Sequence, residues 1–267
     1  MTNKVVNILF ALLMLASRNV MAQEPEKGSP LDKVIILYVD GKYEDCIFKA
    51  EKLSENDKYR KDPTPFIYVA MAYFEISKSE KLQEKYPKAF SESVKWADKG
   101  RKKDKTNETV VKYKDFFAAL KDSANKLGHH FYLVENYSKA LSAYKMALKV
   151  DPNDPVLQLW KGLAANKAKN AAEANLGFTE ANKQIKPGFE PDMVTAPVLA
   201  EGLLFYSEYL QQKGMTSDAN NARSLADEYK KYDPEELDKK KKEERLKKEK
   251  EKTNIINKKF VSDANDQ

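Results

Sequence analysis

A chain of 267 residues is long enough to bury a sizeable core, and 42% hydrophobic residues with 14 Tyr and 12 Phe exclude a solvated coil. Nine Gly and 11 Pro are too few for a sheet-rich fold of many turns, so helices joined by short loops are favoured. The 47 basic and 41 acidic residues are interspersed, which gives a mixed, soluble surface and speaks against a nucleic-acid partner.

The chain opens with Lys4 and the apolar run 5–16 (VVNILFALLMLA), followed by Val20-Met21-Ala22 before Gln23. A charge, a short apolar run and small or β-branched residues at −3 and −1 describe a secretory signal peptide cut after Ala22, so residues 1–22 are expected to be removed. About 12 apolar residues are short of the roughly 20 that a membrane span needs. The expected location is the periplasm of a Gram-negative bacterium, with envelope association. No Cys stands at position 23, so a lipid-modified N-terminus is not indicated. Residues 23–29 read as a flexible leader.

Helical patterns then follow one another. An apolar helix over 30–39 stops at Asp40-Gly41, and 42–53 (KYEDCIFKAEKL) resumes with Cys46, Ile47, Ala50 and Leu53 on one stripe. The single cysteine, Cys46, has no internal disulfide partner and reads as a buried small hydrophobe. Pro63 and Pro65 break the chain before a helix over 66–76, and an insert over 77–87 leads to a helix over 88–103 carrying Ala89, Phe90, Val94, Trp96 and Ala97. A long helical region then runs through Val110, Phe116, Phe117 and Leu120.

In the middle third, Leu127-Gly128, Phe131, Ala140, Tyr144 and Pro152 stand at fixed offsets behind Ala124; Gly128, Ala140, Tyr144 and Ala147 recur one unit later as Gly162, Ala174, Phe178 and Ala181, with Pro187 one place late, while Gln158 and Lys161 depart from the pattern. Small residues let two helices of a hairpin touch, the aromatic fills the gap to the next hairpin, and proline ends the second helix. At a period of about 34 residues this resembles the tetratricopeptide repeat. The match is best over 121–154 and 155–188; a third candidate pairs 196–212 with 216–232. The resemblance implies an all-α, right-handed solenoid of about five antiparallel helix hairpins over 30–234.

Beyond Pro234, residues 235–252 (EELDKKKKEERLKKEKEK) hold nine basic and seven acidic residues. Pairs such as Glu235 with Lys239 and Glu243 with Lys247 stand four apart in the favourable orientation, so 235–267 is expected to be a charged helical or disordered tail. A solvated, frayed helix is the expectation for 235–252; attachment to anionic lipid or an acidic partner is the alternative.

Chemistry is sparse. His129 and His130 are adjacent on a helix and point about 100° apart, so they cannot share a metal. No phosphate loop, nucleophile elbow or Cys/His metal spacing occurs. No catalytic residue, metal or cofactor is expected. The resemblance instead implies a protein or peptide partner bound along the concave face, where Asp122, Asn125, His129 and Tyr132 in one repeat and Val156, Leu159, Leu163 and Asn166 in the next take the lining positions. Asn125 and His129 depart from the family's two-carboxylate clamp for chaperone C-termini. The expected function is a non-catalytic envelope scaffold; the alternative is a structural subunit whose contacts run through the N-terminal hairpins or the charged tail.

Overall fold

Ser29 fixes the start of the first helix in the computed structural model, which describes residues 28–232 and, in the tail, helical Lys239, Lys242, Glu243, Leu246 and Lys247. The Asp32 amide donates to Ser29 Oγ at 3.1 Å, the Ser29 amide donates to the Asp32 carboxylate at 2.6 Å, and Pro30 sits in the first turn, where its missing N–H is no loss. Residues 1–27, with the expected signal peptide and most of the expected leader, and the remainder of the tail lie outside the described residues.

Twelve helices and no strand occur among the described residues: α1 (Pro30–Val39), α2 (Tyr43–Glu55), α3 (Thr64–Ser77), α4 (Glu80–Gln83), α5 (Ala89–Lys103), α6 (Glu108–Lys112), α7 (Lys114–Leu133), α8 (Tyr137–Val150), α9 (Pro155–Lys167), α10 (Ala171–Gln184), α11 (Ala196–Gln212) and α12 (Thr216–Tyr229). They form five hairpins, α1/α2, α3/α5, α7/α8, α9/α10 and α11/α12, stacked as the all-α solenoid that the periodicity predicts. The single turn of α4 lies in the expected insert, whose Lys85 and Tyr86 bond the Glu44 carboxylate at 2.5 and 2.6 Å and strap the insert over the start of α2.

Four of the five hairpins turn by one device. At Gly41, Glu135, Lys169 and Gly214 the backbone is left-handed, with φ of 72°, 59°, 60° and 76°. The next residue's amide then reaches back to a carbonyl five residues earlier: Lys42 to Leu37, Asn136 to Phe131, Asn170 to Ala165 and Met215 to Leu210, at 2.8 to 3.0 Å. These bonds satisfy carbonyls that the helix end leaves open and reverse the chain within a few residues. Asn136 and Asn170 then cap the following helix, each accepting from the amide three residues on.

Within the hairpins, the small residues lie where the repeat pattern requires. Ala140 and Ala174 are buried, a Cβ on Gly128 would come within 2.9 Å of the Tyr144 ring, and one on Gly162 within 2.7 Å of Phe178. Helix α9 is apolar on nearly every face and accordingly buried along most of its length. Its Trp160 is fully buried, stacks on Tyr144 at 5.9 Å and donates Nε1–H to the Val198 carbonyl at 3.0 Å. Cys46 is also fully buried, as expected, its thiol toward the Val34 carbonyl.

Helix α7 begins seven residues before the repeat at 121, because Phe116, Phe117 and Leu120 continue its apolar stripe onto the second hairpin, with Phe116 against Phe74 at 6.0 Å.

Candidate functional site

The face of α7 expected to meet a partner packs against a later part of the same chain. On α7, Lys121, Asn125, His129 and Tyr132 recur at helical spacing, and all four meet the segment that leads into α11 or α11 itself. Lys121 Nζ bonds Asp192, Asn125 Nδ2 donates to the Val194 carbonyl at 3.4 Å, His129 Nε2 lies 3.2 Å from Glu201 Oε2, and the Tyr132 ring sits 5.5 Å from Phe205. The first helix of the third hairpin thus touches the first helix of the fifth, with α9 beneath them.

This seam corrects most of the expected lining set. Asn125, Tyr132, Val156, Leu159 and Leu163 are buried, the last three because α9 is covered by α11 and its neighbours, and they present nothing to a partner. Asp122, His129 and Asn166 keep partial exposure, Asp122 paired with Lys126 at 2.7 Å and His129 engaged by Glu201 and edge-on to Trp160 at 5.0 Å. The expected residues therefore do not form one open surface.

Lys121, which the sequence reading passed over, is the hub of the seam. Its ammonium is buried and bonds Asp151 at 2.9 Å, Asp154 at 3.1 Å and Asp192. Asp154 Oδ1 also caps α9 through the amides of Val156 and Leu157 at 2.8 and 3.0 Å, and Asp192 Oδ1 accepts from the amides of Val194 and Thr195. The three carboxylates have ligand atoms within 4.8 Å of one another, the spacing of a cation site, and the Lys121 ammonium stands among them as the cation. Burial alone would lower the Lys121 pKa, but Asp154, Asp192 and Asp151 outweigh it and hold it above the ordinary lysine range. Burial pushes Asp154 upward against Lys121; for Asp192 burial also acts upward, yet the bond to Lys121 prevails and the carboxyl titrates low. A lysine held protonated in this way is a poor nucleophile and a poor base. It acts as a latch between the turn after α8 and the segment before α11. The one sequence signal for it is the acidic turn 151–155 (DPNDP), whose carboxylates need a buried cation.

Beside the latch lies a cleft of about 630 Å³ between the second and third hairpins. It exists because α5 packs on α8, leaving the linker through α6 to bridge the start of α7. Val110, Phe117, Val150 and Val194 give it an apolar floor; Arg101, Asp104, Lys114 and Asp192 give it a rim of mixed charge. Met193 stands at its mouth 53% exposed, and Val111 on the adjoining helix is 63% exposed. Arg101 is held in place by Nε to the Lys149 carbonyl at 3.2 Å and by Asp98 at 2.8 Å. An apolar floor with a few fixed polar groups is the composition of a binding cleft.

No family model and no curated protein matches the chain. Among solved structures it is similar to a crystal structure of MamA, at 14% identity and a TM-score of 0.34 over 74% of this chain and 94% of that one. It is also similar to a structure titled "MamA MSR-1 C2", at 15% identity and a TM-score of 0.29 over 75% and 94%.

Proposed function

We propose that this chain is a non-catalytic protein-interaction scaffold that receives an apolar side chain of a protein partner in the cleft between its second and third hairpins. The observation that supports this reading is the exposure of Met193 at the mouth of an apolar cleft, while Asn125 and Tyr132, expected to line a groove, are buried against the chain's own seam. The rim carries both signs of charge, which suits a polypeptide better than a polyanion. No cofactor enters the reading.

The test is a photo-crosslinking amino acid placed singly at Met193, Asn166 and Phe48 in the chain expressed in its own cells. A discrete adduct at Met193, lost on Phe117→Asp, supports the cleft; an adduct at Asn166 alone returns the partner to the concave face and overturns it. We also propose export to the periplasm and association with an envelope assembly, supported by Lys4, the run 5–16 and the small residues before Gln23. Mass spectrometry of the mature chain should find Gln23 at its N-terminus; an intact Met1 sinks this part.

A second reading, a structural subunit that contacts its partners outside the groove, is favoured by the exposure of Ile36, Val39 and Phe48 on the first hairpin and of Leu246 on the charged tail. An adduct at Phe48 in the same experiment would select it.

A further inference from the structure

We infer that α1 is a self-association surface, on which α1 of a second copy of this chain docks antiparallel about a two-fold axis. The two ends of the stack are finished differently. On α12, at the far end, the exposed residues are polar: Asn220, Asn221, Arg223, Ser224 and Asp227. A helical array needs such a polar cap at its ends to stay soluble. Helix α1 (PLDKVIILYV) buries Val34 and packs Leu31, Ile35, Leu37 and Tyr38 against the core of the first two hairpins, yet leaves Ile36 57% and Val39 76% exposed.

The charges around that stripe say what covers it. At about 100° per residue, Lys33 and Asp40 fall on the same side of Ile36, about one turn to either side of it along the axis. A two-fold axis that relates antiparallel helices lies perpendicular to the plane containing them, so each flank of the stripe meets the same flank of the other copy. Lys33 then faces Asp40 of the second copy, Asp40 faces its Lys33, and Ile36 meets Ile36 at the centre. The surroundings carry the same polarity. Lys33 shares a groove with Lys49 and Lys52, and none of these three lysines makes an ion pair among the described residues. At the other end of α1, Asp40 is followed at the start of α2 by Glu44, which Lys85 and Tyr86 already engage, and by exposed Asp45. Antiparallel docking sets Lys33 against Asp40 twice over, whereas parallel docking would set each against its own copy. The existing pair of Asp40 with Lys42, at 3.2 Å, is about half exposed on both sides and holds Asp40 only weakly.

The test uses the full chain and its single native cysteine, which is fully buried and therefore silent toward oxidants. Ile36→Cys should form a disulfide-linked dimer under mild oxidation in cells, and Lys126→Cys, exposed on α7, should not. In the Ile36→Cys background, Lys33→Glu or Asp40→Lys alone should lower the dimer yield about tenfold, since each reverses two symmetric pairs, and the two together should restore it. All four sites are exposed, so folding is not at stake. Yields from Ile36→Cys no higher than from Lys126→Cys, or no recovery on the charge swap, would overturn the inference. Neither outcome touches the cleft at Met193.

Discussion

Gly177 on α10 lies against the backbone of Gly162 on α9: a Cβ at Gly177 would stand 2.7 Å from the Gly162 nitrogen and 2.8 Å from the Gln158 carbonyl oxygen. Both obstacles are main chain, so neither can rotate away. In a helix interior Gly→Ala ordinarily gains about 1 kcal/mol of propensity, but overpacking against a rigid neighbour costs about 1–3 kcal/mol or more. Gly177→Ala should therefore lose about 2 kcal/mol net, read as a lower urea midpoint at unchanged slope. Gly128→Ala meets only the Tyr144 ring, which can tilt, and should lose about half as much. A Gly177→Ala chain as stable as the parent would mean that the two helices are farther apart than described.

The turns invite the opposite substitution. Glu135 and Lys169 hold left-handed backbone where Gly41 and Gly214 do so without strain. A left-handed L-residue costs roughly 1–2 kcal/mol, and glycine returns about 0.4–1 of that to the flexibility of the unfolded chain. Glu135→Gly and Lys169→Gly should each raise stability by about 0.5–1 kcal/mol, while Gly41→Ala and Gly214→Ala should lower it by about the same. Thermal unfolding of the four variants checks the sign pattern, and a loss from either glycine insertion would contradict it.

The contrast between those turns and the seam shows what the sequence makes legible. Hairpin count and nesting were readable because Gly128, Ala140, Gly162 and Ala174 carry a local requirement, close approach, at a fixed spacing. Glu135 and Lys169 hid their turns because their residue types belong to helix surfaces, and the strain is visible only in φ. The seam was less legible still. That Lys121, Asn125, His129 and Tyr132 face α11 depends on how far three successive hairpins rotate against one another, and the bridging stretch before α11 breaks the repeat spacing.

Removing the latch should reverse the response to acid. Asp192 titrates low because its bond to Lys121 overcomes burial, and Glu173 low through its bond to Lys145 at 2.7 Å. A carboxyl whose folded pKa is depressed contributes stability above its unfolded value and loses it as pH falls through the folded value, so Asp192 and Glu173 weaken the parent chain below about pH 4, while Asp154, which burial holds high, acts in the opposite sense. In Lys121→Met, Asp154 and Asp192 lose their cation and burial raises both, so each proton they take up on acidification then favours the folded chain. The variant should be about 3–5 kcal/mol less stable at pH 7, the usual loss when one partner leaves a buried ion pair, and should recover part of this between pH 7 and 5. Urea midpoints across that range give the two slopes; parallel slopes would show that the carboxylates are not held by Lys121.

Tyr132 and Asn166 separate a groove from a seam. Were the concave face an open peptide site, both residues would line it, and truncating either would weaken a partner while leaving the fold alone. In the seam, Tyr132 is 5% exposed and ringed by Tyr137, Trp160 and Phe205 at 5.1 to 5.5 Å. Removing a buried aromatic of this size costs about 3–5 kcal/mol. Asn166, at the end of α9, keeps partial exposure, and its truncation should stay within about 0.5 kcal/mol. Tyr132→Ala should thus lower the urea midpoint sharply, where Asn166→Ala barely moves it. Trp160 fluorescence gives a second readout: loss of the Tyr132 ring should admit water to the indole and shift its emission to the red, best followed in a Trp96→Phe background. Equal, small effects from both truncations would mean that α11 does not cover α9, and the concave face would again be free to bind.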